Sequence, residues 1–263
     1  MSIASNKYVI GNWKMQARHD HGLKLAREVT ENLEQAPPPP FIKTVICPPY
    51  TQLSEIHKNL AHHESPSCPA LGAQDCYPAP SGPFTGDISA KMLVDLGVTY
   101  VILGHSERRQ NHGETDAAIR QKVKAATAAG LIPIVCIGEH LAERNEGRAA
   151  SVLARQIEGS LTRGFRGIVA YEPVWAIGSG ITPSREELQR KLNVIHALLP
   201  MRLMVDDFRV PVLYGGSVTA AQTSSLFSIK GLDGVLVGSA SLEAKSFLDI
   251  IRAATESLSS SPS

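Results

Sequence analysis

Five places in this 263-residue chain carry residue types that do acid–base chemistry or hold anions, and each follows directly on a short apolar run. The run "GIVAYE" (residues 167–172) ends in Glu172, and "YVILG" (residues 100–104) gives way to His105, Ser106 and Glu107. "YVIGN" (residues 8–12) ends in Asn12, with Lys14 two residues on. "VPVLYGG" (residues 210–216) closes on Gly215 and Gly216 before Ser217, and "DGVLVG" (residues 233–238) closes on Gly238 before Ser239. A carboxylate can act as a base, an imidazole can polarise a neighbour, and an ammonium stabilises negative charge. Glycine backbone lets N–H groups approach an anion closely because no Cβ intervenes. A lone Glu or His after a strand is more often a helix cap or a surface pair, and a lone Gly pair is as often an ordinary turn. Their coincidence on one face would make an active site for a small, phosphorylated molecule.

The elements that must position these residues are legible as an alternation. Besides the five runs above, "TVICP" (residues 44–48), "ALGAQ" (residues 70–74) and "IPIVCIG" (residues 132–138) bring the count of strand-like runs to eight. Between them lie segments of helical periodicity such as "AAIRQKVKAATAAG" (residues 117–130), whose final Gly suits a helix C-terminus. Eight strands alternating with helices in about 250 residues predict an α/β fold, a closed (β/α)8 barrel of a single domain over residues 1–256, with a doubly wound sheet as the alternative. In such a barrel all strand C-termini share one face, and the loops after strands seven and eight often bind phosphate. "APPPP" (residues 36–40) reads as a stiff turn, and the Ser-rich residues 257–263 as a frayed tail.

Charge and composition narrow the class. Lys and Arg number 26 against 25 Asp and Glu, a formal net charge of +1, which offers no electrostatic footprint for nucleic acid or an anionic membrane. No apolar run reaches the roughly 18 residues of a membrane span, and the first residues lack a leader pattern, so a cytoplasmic protein is expected. Cys47, Cys68, Cys76 and Cys136 form no C-x-x-C pair and predict no disulfide framework. The histidines of residues 18–21 and 57–64 lack a further ligand cluster and read as solvated helix surface, so no metal is expected. "GHSER" (residues 104–108) lacks the last Gly of G-x-S-x-G, and "GSG" (residues 178–180) lacks the rest of a dinucleotide fingerprint.

The stretches "GNWKM", "FTGDISAKML", "YVILGHSERR", "CIGE", "YEPVWAIGSG", "YGGSV" and "VGSASL" occur in this order across nearly the whole chain, which thereby resembles the triosephosphate isomerase family. The resemblance implies interconversion of dihydroxyacetone phosphate and glyceraldehyde 3-phosphate through an enediol(ate), a step of glycolysis and gluconeogenesis, without metal or organic cofactor. It implies Glu172 as general base, His105 as a neutral imidazole polarising the carbonyl, and Lys14 and Asn12 as the groups that stabilise and orient the substrate oxygens. Glu107 would support them. The phosphate would rest on Asn12, Lys14, Gly178, Ser217, Gly238 and Ser239. Pro173, Val174, Trp175, Ala176, Ile177, Gly178, Ser179, Gly180 and Ile181 would form a closing lid that keeps water from the intermediate.

The long stretch of residues 73–86, with Gln74 and Thr85, would dock into a second subunit and make a homodimer. Ser239, Asp87, Asp75 and Ile181 depart from the commonest family pattern. Ser239 bears on function, because a side chain there could crowd the phosphate, demand an unfavourable positive φ, or add a donor. The rival readings are an isomerase or racemase of another short sugar phosphate, such as a tetrulose phosphate, and a barrel that binds without turnover.

Overall fold

A computed structural model describes residues 6–63, 65–178, 182–203 and 209–259. Eight parallel strands close into a barrel: β1 (Lys7–Asn12), β2 (Ile42–Cys47), β3 (Ala70–Ala73), β4 (Tyr100–Leu103), β5 (Ile132–Ile137), β6 (Ile168–Tyr171), β7 (Val212–Gly216) and β8 (Gly234–Val237). Each pairs with its neighbours in sequence, and β8 pairs with β1 through Tyr8↔Gly234 to Gly11↔Val237. The helices between them are α1 (His19–Gln35), α2 (Tyr50–Ala61), α3 (Ala90–Asp95), α4 (Ser106–Asn111), α5 (Asp116–Ala129), α6 (Leu141–Asn145), α7 (Ala149–Ser160), α8 (Arg185–Leu203), α9 (Ala220–Phe227) and α10 (Ala244–Ser259).

The strands are apolar on both faces because both are covered, as parallel sheets require. Ile10, Val45, Ile102, Ile134, Ile168, Leu213 and Leu236 fill the barrel interior, while the alternate residues Val9, Ile46, Val101, Val135, Val169, Val212 and Val235 pack under the helices. Helix α5 shows how the outer layer is specified. The Thr115 side chain caps it by accepting from Ala118 N–H at 3.2 Å, a bond of a kind that contributes about 1 kcal/mol. Ile119, Val123 and Ala126 recur at helical spacing on the buried side. Gly130, with φ 92°, ends it in the left-handed region, where a side chain would be strained.

Helix α10 continues through Ser259, so residues 257–259 belong to it rather than to a frayed tail. The reason is Leu258, which packs against the layer between helices and barrel. Residues 260–263 lie outside the described residues. Cys47, Cys68, Cys76 and Cys136 are free thiols, and no group of three or more His, Cys, Asp or Glu among the described residues could hold a metal. No helix among them is long and apolar enough to cross a membrane.

Candidate active site

Closure of the barrel carries the strand ends to one mouth, where a cleft of about 1010 Å³ opens. Asn12, Lys14, Glu107, Gly178, Ser217, Gly238 and Ser239 line it, and a small adjoining recess is lined by Asn12, Lys14, His105, Glu172, Gly215 and Gly238. All nine residues expected to act on or bind substrate thus meet at one place.

Glu172 follows β6 directly and is 2% exposed. Its backbone N–H donates to Ile137 O at 2.7 Å, which ties the end of β6 to β5. The strands come so close there that a Cβ on Gly138 would lie 1.6 Å from Glu172 O, so that approach depends on glycine. The carboxylate accepts from Ser106 N–H through Oε2 at 2.9 Å, and its Oε1 lies 3.1 Å from His105 Nε2. On its other side, a Cβ on Gly215 would meet Glu172 Cγ at 2.9 Å, so this glycine reserves the space in which the base stands. Buried Cys136 lies within the electrostatic reach of Glu172. Burial first, and the Glu172 charge second, push its thiol well above the ordinary range, so it remains a protonated neighbour of the base.

His105 caps the short helix α4, and its Nδ1 accepts the Glu107 N–H at 3.2 Å. A ring nitrogen that accepts carries no proton, so the neutral ring carries its hydrogen on Nε2, which faces Glu172 and the recess. Arg109 braces the backbone before His105: Nε donates to Gly104 O at 2.8 Å and Nη2 to Cys136 O at 3.1 Å, while Nη1 pairs with Asp116 at 2.6 Å.

Lys14 sits one residue beyond the Asn12–Trp13 step, with φ 53°. A side chain in that region costs about 1–2 kcal/mol, and Lys14 is held there by its surroundings. Its N–H donates to Asn12 Oδ1 at 3.0 Å, and its O accepts from Gln74 Nε2 at 2.8 Å. The ammonium pairs with Glu107 Oε1 at 2.6 Å and lies 3.9 Å from where a Cβ on Gly238 would stand. Gln74, expected as part of a dimer loop, therefore grips a residue of its own chain. Thr85 lies in the same loop, is exposed and lines neither cavity. Ser239 begins a one-turn 3-10 helix, Ser239–Leu242, and is absent from the residues of positive φ, so the strain considered for a side chain there does not arise. It is exposed at the edge of the cleft.

The described part of the expected lid begins with buried Pro173, turns once as a 3-10 helix at Val174–Ala176, and reaches Gly178 with φ 69°. Ser179, Gly180 and Ile181 lie outside the described residues. Its base is anchored to the turn after β5. Val174 N–H donates to Glu139 O at 3.1 Å, Trp175 Nε1 donates to Glu139 Oε1 at 3.2 Å, and the Arg144 guanidinium covers the Trp175 ring at 4.0 Å. Glu139 is fully buried and also accepts from the Tyr171 hydroxyl at 3.0 Å, with Lys191 Nζ at 3.7 Å. Arg144 is fixed in turn by Glu187 of α8, at 2.8 Å.

The sequence did not mark Ser106 N–H, Cys136, Glu139 or the inward role of Gln74. The hints for Glu139 were its place in the stretch "CIGE" and a carboxylate just after an apolar strand, the same signal that exposed Glu172.

A family model described as triosephosphate isomerase matches residues 7–254. The triosephosphate isomerase of Gluconacetobacter diazotrophicus is 48% identical over 248 residues, covering 94% of this chain and 98% of that one. That of Xanthobacter flavus is 41% identical over 256 residues, covering 96% and 99%. The crystal structure of triosephosphate isomerase from Bartonella henselae superposes with a TM-score of 0.83 at 36% identity, over 94% of this chain and 98% of that chain. The chain belongs to the triosephosphate isomerase family.

Proposed function

We propose that this site interconverts dihydroxyacetone phosphate and glyceraldehyde 3-phosphate by proton transfer through an enediol(ate), and that Glu172 is the base. The observation that carries the reading is the buried Glu172 carboxylate 3.1 Å from His105 Nε2, beside the Lys14 ammonium in one recess. The substrate carbonyl oxygen takes the His105 Nε2–H. Glu172 then removes a proton from the carbon next to the carbonyl, and the C–H electron pair becomes the enediolate double bond while charge gathers on oxygen. His105 and Lys14 stabilise that charge, and Asn12 orients the oxygens. The proton of the hydroxyl on the carbon that lost its C–H passes by way of His105 Nε2 to the former carbonyl oxygen, and the protonated Glu172 returns its own proton to the neighbouring carbon, so a new carbonyl forms and the base is regenerated. Glu107 holds the ammonium through Oε1 at 2.6 Å.

The phosphate rests on backbone N–H groups of Gly178, Ser217, Gly238 and Ser239, with Lys14 as the cation. The segment from Pro173 onward closes over the substrate. The loop with Gln74 and Thr85 docks into a second copy, which makes the enzyme a homodimer, and free buried thiols fit a cytoplasmic location. Action on a longer sugar phosphate gains no support from relatives that are named triosephosphate isomerase.

The test is the initial rate on glyceraldehyde 3-phosphate with dihydroxyacetone phosphate detected, alongside a four-carbon ketose phosphate. Rapid triose turnover that falls on the order of a thousandfold in Glu172→Gln, at unchanged fold, is expected. Turnover of the four-carbon compound alone, or a Glu172→Gln enzyme near the unsubstituted rate, overturns the reading.

A further inference from the structure

We propose that Gln74 is a positioning residue for the reaction: it aims the Lys14 ammonium by gripping the Lys14 backbone, without touching substrate. The inference rests on the reading of Lys14 as the cation of the site. Among the described residues, only Lys14 (φ 53°) and Ala17 (φ 64°) take positive φ without being glycine. Such a conformation persists where the surroundings impose it. At both residues the carbonyl is taken by a glutamine amide from another βα unit, Lys14 O by Gln74 Nε2 and Ala17 O by Gln52 Nε2. The loop between β1 and α1 is thus pinned at two points.

Gln74 does more than Gln52. Its second amide hydrogen goes to Cys47 O at 2.9 Å, at the end of β2, and that same oxygen accepts Trp13 N–H at 3.1 Å. One amide therefore fastens the Lys14 carbonyl to the rim of the barrel, while Asn12 Oδ1 fixes the Lys14 N–H at 3.0 Å. With both its N–H and its carbonyl held, the Cα–Cβ bond of Lys14 has one direction, toward Gly238 and Glu107. Without the amide, Lys14 can relax to negative φ, which turns that bond and draws the ammonium away from the recess. At an effective dielectric constant of about 20, a retreat from roughly 4 to 6 Å from a unit negative charge weakens attraction by about tenfold in rate or binding.

The experiment places Gln74→Met in the otherwise unaltered chain and in a Lys14→Met chain, and compares kcat/KM on glyceraldehyde 3-phosphate where sedimentation shows the same assembly throughout. Affinity for inorganic phosphate is read in parallel. The expected result is a ten- to hundredfold fall when Lys14 is present and less than twofold when it is absent, because the amide acts through the lysine. Equal falls in both backgrounds, or none in the first, overturn the proposal. If Lys14→Met leaves the rate unchanged, the reading of Lys14 fails and the positioning role with it. A Lys14→Met loss beside a silent Gln74→Met refutes the positioning role alone. Should Gln74→Met not fold, Gln74→Asn keeps the amide but draws it back by one methylene, and the same cycle applies. Gln52→Met, which loosens only the far end of the loop, is expected to change kcat/KM less than Gln74→Met does.

Discussion

Replacing Gly215 with alanine tests how closely the base is aimed. The added Cβ would stand 2.9 Å from Glu172 Cγ and 3.5 Å from Oε1, against 3.4–4 Å for ordinary contact. Because β7 is a paired barrel strand, its backbone yields little, and the carboxylate must give way by about 0.5 Å or more. That displacement stretches the bond from Ser106 N–H, now 2.9 Å, and alters the 3.1 Å separation from His105 Nε2. A misplacement of about 1 Å costs roughly a hundredfold in a positioned reaction, so half of it predicts a fall in kcat of about tenfold, or ~1.4 kcal/mol of transition-state stabilisation.

KM should change by less than threefold, since Gly215 lines the recess beside the base and not the large cleft where Ser217 and Ser239 lie. The added methyl group also overpacks the site, at about 1–3 kcal/mol of stability. Steady-state kinetics on glyceraldehyde 3-phosphate at 25 °C, with urea unfolding at fixed protein concentration, measures both. A Gly215→Ala enzyme with kcat unchanged would show that the carboxylate is not held by this packing, and would refute the argument from the cavity wall.

The anchor of the expected lid and the charge cluster near β3 give two further expectations. Trp175→Phe removes the donor to Glu139 Oε1, now at 3.2 Å, and amide exchange at residues 174–178 should quicken several-fold; unchanged exchange would show that the indole does not anchor the segment. The second concerns Asp75 and Glu114, which share Lys122 and Arg108. For Glu114, burial pushes the carboxyl up, but bonds from Lys122 and Arg108 outweigh it and leave it below the usual range. Its stabilising contribution is therefore complete above the unfolded value of about 4.3 and is lost as pH falls through the folded one.

For Asp75, burial dominates over Lys122 and leaves the carboxyl raised, so its contribution falls as pH rises from the unfolded value of about 3.9 through the folded one. Glu114→Gln should thus weaken, and Asp75→Asn strengthen, the loss of stability on acidification. Unfolding midpoints across that range that shift with the same sign in both variants would contradict the assignment.

The fold was legible because each buried parallel strand leaves a continuous apolar run between helical segments, and every run identified became a strand. The ends were less so. β2 begins at Ile42, two residues before the run "TVICP", because Ile42 and Lys43 find partners in Lys7 and Tyr8 of β1, a matter of register that composition does not carry. β7 begins at Val212, because Pro211 has no N–H to give to the ladder and contributes only its carbonyl, to Val169 N–H at 3.0 Å. The convergence of Asn12, Lys14, His105 and Glu172 was legible for a topological reason, since a parallel barrel gathers strand ends. What holds them was not. Ser106 acts through its backbone N–H, Gln74 through a carbonyl sixty positions away, and Gly138 through the atom it lacks. Such roles depend on where the chain comes near itself.

The left-handed backbone of Lys14 also sets limits on redesign. A procedure that seeks thermal stability treats a non-glycine residue at φ 53° as a defect and replaces it with glycine. Here the replacement that best suits the backbone is the one that discards the ammonium, while any residue keeping the charge keeps the strain. The position therefore has no substitution that serves folding and chemistry together, and a stabilised variant of this barrel must find its gains elsewhere.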